Sequence, residues 1–151
     1  FNIKNEKSVK PDNKISVRLE MNSASMKELM ELPGIGESFA NKIINYRQLL
    51  GGFHHKEKLL EVYGMDSSRF FKIDSLIYFD TLLISKLNIN KVKYKTLLRH
   101  PYLNKYQTNA IMKYRELAGK FHNVNQLFEY TLLEEEDFFR VKPYLTTDTL
   151  K

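Results

Sequence analysis

The chain has 151 residues, enough for one ordinary domain or two small ones. Apolar residues make up 42% and charged residues 28%, which excludes a disordered chain, and no apolar run approaches the roughly 20 residues needed to cross a bilayer. The absence of cysteine excludes disulfides, thiolate nucleophiles and thiolate zinc sites, while the net charge of +6 invites a polyanionic partner without requiring one.

The chain opens on Phe1 rather than Met and reads as a piece of a longer protein. Its polar opening, FNIKNEKSVKPDNK, places a linker over residues 1–16. The first helix is expected in SASMKELMEL, with Met26, Leu29, Met30 and Leu32 on one face and Ser23 or Ser25 as N-cap. A second follows Pro33-Gly34-Ile35-Gly36, carrying Phe39, Ala40, Ile43, Ile44, Tyr46, Leu49 and Leu50 at helical spacing. Gly51-Gly52 stops it at the C-cap. KEKLLEVY reads as a third helix, and DSSRFFKI as a fourth capped by Asp66. VRLEM, LIYF and LLISKL are either extended connectors or one small strand pair.

Shifted by 68 residues, the sequence meets itself without a gap. Pro33 falls on Pro101, Ile43 on Ile111, Tyr46-Arg47 on Tyr114-Arg115, and Phe53-His54 on Phe121-His122. Phe70-Phe71 fall on Phe138-Phe139, all four expected in the core, and Asp80-Thr81-Leu82 on Asp148-Thr149-Leu150. Unit two then repeats the helices as KVKYKTLL, YQTNAIMKYRELA, VNQLFEY and EEEDFFRVK. The expected architecture is mainly α: two tandem double helix-hairpin-helix (SAM-like) domains, over 17–80 and 81–151, the second a diverged copy. The return of the connector after unit two leads to the expectation that the parent protein continues into another unit.

Two short helices joined by Pro-Gly-Ile-Gly form a hairpin whose glycines turn the backbone tightly and leave the following amides uncovered. Those amides are orphan donors at a helix N-terminus, where an anion can dock. Ile35 is the inward anchor, and a DNA phosphate is the natural guest because the contact needs no base identity.

MNSASMKELMELPGIG followed by ANKIINYRQLLGGF resembles the DNA-binding domain of the ComEA competence proteins. LLEVYGMD resembles that family's second hairpin, centred on Gly64-Met65. The resemblance covers about residues 19–77, and 87–145 as a diverged copy. It implies four hairpins, sequence-independent binding of duplex DNA through the minor-groove backbone, a bacterial role in DNA uptake, and an extracytoplasmic or periplasmic place behind an N-terminal membrane anchor. A cytoplasmic place is the alternative.

Unit two departs from the pattern: Tyr102, Leu103 and Asn104 replace Gly34, Ile35 and Gly36, and Leu132-Leu133 replace Gly64-Met65. Leu103 keeps the anchor, Asn104 can take left-handed geometry at some cost, and Tyr102 puts a ring where close approach was wanted. Charge runs the other way. Residues 17–80 carry eight basic and nine acidic side chains, and residues 81–151 carry twelve and seven. Glu37 suits the helix dipole but repels an arriving phosphate. The candidate phosphate-binding residues are Gly34, Ile35, Gly36, Lys42, Arg47, Gly64 and Met65 in unit one, and Lys91, Lys95 and Lys105 in unit two. Lys91 and Lys95, one helical turn apart, are expected to share a face.

Arg47 and Arg115 pair either with DNA or with neighbouring protein groups. Tyr46 and Tyr114 read as packing residues, and EEED at 134–137 as an acidic first turn. His54-His55 lack a third ligand at fixed spacing, so no metal is expected. No nucleophile with a matching base is found, so no enzyme activity, cofactor or small-molecule substrate is expected. The partner is duplex DNA, bound weakly and salt-sensitively. The alternative is a scaffold repeat that docks another envelope protein without DNA. A third reading is the targeting part of a larger nucleic-acid enzyme.

Overall fold

The structure is a computed structural model and describes residues 17–147. The 1–16 linker and the repeated Asp148-Thr149-Leu150 lie outside the described residues.

Unit one begins with a two-residue strand, β1 (Leu19–Glu20). Helix α1 (Met26–Met30) follows, started by a capping box in which Ser25 Oγ accepts from Glu28 N and the Glu28 carboxylate accepts from Ser25 N. The first hairpin then leads into α2 (Glu37–Leu50). A 3₁₀ turn covers Lys56–Glu61 where an α-helix was expected. The second hairpin enters α3 (Ser67–Ile73), capped by Asp66, whose carboxylate accepts from Arg69 N at 2.7 Å. Strand β2 (Ile77–Tyr78) pairs in parallel with β1, Leu19 opposite Ile77, so the two ends of the unit are clasped together.

Unit two repeats this with β3 (Leu87–Asn88), α4 (Tyr94–Leu98), α5 (Lys105–Ala118), α6 (Gln126–Glu129), α7 (Glu135–Val141) and β4 (Leu145–Thr146). Leu87 sits opposite Leu145 in the second parallel clasp, so there are two strand pairs rather than one. The acidic residues Glu135, Glu136 and Asp137 occupy the first turn of α7 as expected.

Polar side chains lock each clasp at corresponding positions. Asn22 Nδ2 donates to Phe53 O and Asp80 O, and Asn22 Oδ1 accepts from Phe53 N. Asn90 makes the same bonds to Phe121 and Thr147. Each satisfies main-chain groups that the short strands leave over. The core follows the predicted faces for Leu29, Leu32, Ala40, Ile43 and Leu50, with Ile111 at the corresponding position in unit two. It corrects them for Met30 and Leu49, which are exposed, and for half of each Phe pair. Phe70 and Phe138 are buried, but Phe71 and Phe139 are 72% and 57% exposed. Helices of seven residues have only one narrow inward stripe, and adjacent positions cannot both lie on it.

The units meet at a polar junction. Ser85 N donates to Gly51 O at 2.8 Å. Gly51 has φ +98°, and a Cβ there would sit 2.4 Å from Ser85 O, so turn and close approach both demand glycine. Tyr102, only 5% exposed, turns its ring into the junction and donates to Glu61 Oε2 at 2.6 Å. Tyr46 OH donates to the same carboxylate at 2.5 Å. Burial raises the Glu61 pKa, but the hydroxyls of Tyr102 and Tyr46 and the Lys58 ammonium reverse this and hold it below the ordinary value. His100 lies alongside, 2% exposed, with Tyr102 N–H donating to Nδ1 at 3.2 Å. Its neutral ring therefore carries its proton on Nε2, which donates to Leu50 O at 2.9 Å.

Candidate nucleic-acid interface

The first hairpin is built from Leu32 to Gly36. Gly34 has φ +79°, which a side chain would resist, whereas Gly36 has φ −90° and needs no glycine for its backbone. A Cβ at either position would meet nothing within 4 Å, so the space in front of the turn is open. Ile35 is 4% exposed and packs inward as expected. Its N–H, however, donates to Leu32 O at 3.2 Å, so Ile35 is an anchor and not a phosphate donor. Among the described residues, the N–H groups of Gly34, Gly36, Glu37 and Ser38 have no hydrogen-bond acceptor. Gly36 is the N-cap of a fourteen-residue helix and offers no side-chain cap, so the dipole of α2 ends on these bare donors.

The second hairpin supports the first. Gly64 abuts the Phe39 ring, and an added Cβ would approach Phe39 Cε2 to 3.3 Å. Met65 is buried and its N–H donates to Val62 O at 2.9 Å, so it too is an anchor rather than a contact. Asp66 already fills the start of α3 with a carboxylate. What this hairpin adds is Arg69, whose guanidinium donates to Gly64 O at 3.0 Å and stacks over Phe39 at 4.4 Å. Lys42 Nζ sits 5.7 Å from the centre of Phe39 and 5.1 Å from that of the exposed Tyr63. Lys42 and Arg69 thus place positive charge around Phe39, from the second turn of α2 and the first turn of α3. Sequence reasoning included Lys42 and missed Arg69 and Tyr63. The available signal was that Arg69 stands three residues after the Asp66 cap, in the first turn behind its hairpin. Glu37 is exposed in the first turn of α2 and opposes an incoming anion.

Arg47 is corrected. Its guanidinium donates to Met21 O and Ala24 O, both at 2.8 Å, tying α2 to the segment before α1. Burial draws its pKa below the ordinary value, against the pull of Glu20. Arg115 makes the same clamp in unit two, to Ile89 O and Val92 O. Both arginines are structural.

The third hairpin is closed by its own atoms. Tyr102 N–H is taken by His100 Nδ1 and Leu103 N–H by His100 O. Asn104 caps α5: its Oδ1 accepts from Gln107 N at 2.9 Å, and Gln107 Oε1 accepts from Asn104 N at 3.0 Å. Asn104 has φ −100°, so no left-handed geometry is needed and that expected cost does not arise. In the fourth hairpin, Leu132 N–H and Leu133 N–H both donate to Leu127 O. The left-handed position falls one residue earlier than in unit one, on Thr131, with φ 55°. Lys91 lies in the turn before α4 and Lys95 within the helix, so the expected shared helical face is not formed. Lys95 and Lys105 are exposed, the latter as the first residue of α5. The described residues hold no group of three side chains suited to a metal ion, and no helix among them is long and apolar enough to cross a membrane.

Two tandem hairpin pairs on a clasped helical scaffold define a class, and the comparisons agree. The helix-hairpin-helix motif matches twice, over residues 14–78 and 84–146. The chain belongs to the helix-hairpin-helix family, whose motif suggests nucleic-acid binding. The match supports that family without singling out its ComEA branch. Among curated proteins, the chain is similar to endonuclease/exonuclease/phosphatase family domain-containing protein 1. The Xenopus laevis protein is 26% identical over 73% of this chain and 24% of its own length. The mouse protein is 27% identical over the same shares, and the human protein 40% identical over 34% of this chain and 9% of its own. The chain therefore spans about a quarter of the length of the first relatives it matches. No solved structure matches it significantly.

Proposed function

We propose that the chain is a targeting module that grips duplex DNA by its phosphates, without sequence preference, through the first hairpin. The observation that carries this reading is the row of unbonded N–H groups at Gly34, Gly36, Glu37 and Ser38, at the start of a fourteen-residue helix, with open space where a Cβ would stand at Gly34 and Gly36. Lys42 and Arg69 supply the accompanying charge, and hairpin two holds Arg69 in place. Unit two acts as a brace, since the turn donors of its first hairpin, at Tyr102 and Asn104, are taken by His100 and Gln107. Few phosphates are contacted, so binding is weak and strongly salt-dependent.

The names of the relatives favour placing this module in nucleic-acid processing, as the targeting part of a larger enzyme, over DNA uptake. The test is fluorescence anisotropy with a mixed-sequence duplex across a salt series. Affinity should fall steeply with salt, and Gly36→Asp should weaken binding by about tenfold or more at unchanged helicity, through loss of a charge-assisted contact and added repulsion. Binding indifferent to salt, or unchanged in Gly36→Asp, overturns the reading.

A further inference from the structure

A second cationic site lies apart from the first hairpin, beside Tyr102 of the third. A cleft of about 370 Å³ opens between the units, lined by His54, His55 and Lys58 from unit one and Phe139, Arg140, Pro143 and Tyr144 from unit two. No carboxylate is among the lining residues. Lys58 shares its charge with Glu61 at 3.3 Å, and His55 Nδ1 lies 3.0 Å from Glu57. Arg140 differs: among the described residues its guanidinium has no hydrogen-bond acceptor and no ion pair. Its Cζ sits instead over the Tyr102 ring, 4.3 Å from the centre. Lys58 Nζ lies 4.6 Å from that same centre. Tyr102 is fixed in turn by Glu61, so two cations from different units are positioned by one buried aromatic. A guanidinium seated on an aromatic ring, with unfilled donors, is suited to take two oxygens of a phosphate side by side. Phe139, 57% exposed on the cleft wall, offers a flat apolar surface of the kind on which bases stack. The volume is at the small end of the range of about 300–1,000 Å³ for small-molecule sites, which suits one nucleotide rather than a strand pair.

We propose that this inter-unit cleft binds a nucleotide bearing a terminal phosphate, with Arg140 holding the phosphate, Lys58 adding charge, and Phe139 stacking on the base. The chemistry is shared by a free mononucleotide and by the 5′-phosphorylated end of a single strand. The site is separate from the first hairpin and stands or falls independently of duplex binding there.

The experiment uses the 151-residue chain and a short fluorescent single strand, once with a 5′-phosphate and once with a 5′-hydroxyl, with adenosine monophosphate as competitor. The phosphorylated strand should bind about tenfold more tightly than its twin, the effect of one charged bidentate contact. Arg140→Gln should abolish the difference, and Arg140→Lys should restore part of it. Displacement by adenosine monophosphate assigns the site to free nucleotides, and phosphate-dependent binding without displacement assigns it to strand ends; both outcomes uphold the proposal. Equal binding of the two strands, or a preference that survives in Arg140→Gln, overturns it. Because Arg140 braces Tyr102, duplex binding by the variant is measured alongside. Gly36→Asp should lose the duplex and keep the phosphate preference, which separates the two sites.

Discussion

The first and third hairpins occupy matching places in the repeat and differ in one respect. Both bury an apolar anchor, Ile35 or Leu103, and both bond that anchor's N–H to the carbonyl three residues back. Beyond the anchor, the first hairpin leaves its donors bare. The third fills the two at Tyr102 and Asn104, with His100 Nδ1 and Gln107 Oε1, and caps α5 with Asn104 Oδ1. The fold needs the anchor, the clasp and the arginine clamp, and both units retain these. Anion binding needs unfilled donors: among the described residues, Gly34 and Gly36 keep theirs free where Tyr102 and Asn104 do not, while Lys105 and Tyr106 stay as unbonded as Glu37 and Ser38. Net charge misleads on this point, since the basic unit is the one whose turn donors, at Tyr102 and Asn104, are taken.

The comparison can be broken most forcefully at the arginines. If Arg47 and Arg115 are equivalent clamps, then Arg47→Ala and Arg115→Ala should each destabilise the chain by about 3 kcal/mol, because two buried carbonyls lose a charged donor. Urea denaturation measures this. Duplex affinity of the folded Arg47→Ala protein should match the parent. A fully stable Arg47→Ala protein that no longer binds DNA would return Arg47 to the interface.

Acid should separate the units next. His100 stands where unit one has Leu32, and burial lowers its pKa to about 4, reinforced by Arg140 and opposed by its bond to Leu50 O. Unfolded, the ring takes its proton near pH 6.5. Between these values the unfolded chain binds the extra proton, so stability falls as pH drops from about 6.5 toward 4. The loss approaches roughly 3 kcal/mol at the lower end, at 1.36 kcal/mol per pH unit. Protonation of Nδ1 removes the acceptor for Tyr102 N–H, so the junction loosens first. His100→Leu, which copies unit one, should flatten the pH profile of the melting temperature. An unchanged profile in that variant would remove His100 from the account.

Local pattern made much of this legible. The 68-residue register exposes the repeat, the apolar spacing marks the anchors, and the Pro-Gly-Ile-Gly turn marks the open hairpin. The misreadings share a cause: they depend on partners far along the chain. The role of Tyr102 is set by Glu61, forty-one residues away, and that of Arg47 by Met21, twenty-six residues away. A tyrosine in a hairpin and an arginine on an amphipathic helix carry no local mark of such partners. Arg69 joins the site because Phe39, from another helix, lies beneath it. The recurrence of Tyr-Arg at 46–47 and 114–115 was the one available warning, since a clamp is kept in a unit that has lost its open hairpin.

The gentlest test exchanges the N-cap residue, which differs between the two hairpins. Gly36 and Asn104 are both N-caps in extended conformation, with φ of −90° and −100°. Gly36→Asn is therefore free of backbone strain and should stabilise unit one by a few tenths of a kcal/mol by capping α2. Its side chain would occupy an N–H in the first turn and stand in the open space before the hairpin. Duplex affinity should fall even as the melting temperature rises. The mirror change, Asn104→Gly, should cost a similar few tenths and free Gln107 N–H. It should gain little DNA binding, because Tyr102 and Leu103 N–H stay bonded to His100. If Gly36→Asn stabilised the protein and left duplex affinity untouched, bare donors would no longer distinguish the two hairpins, and the assignment of DNA to unit one would lose its basis.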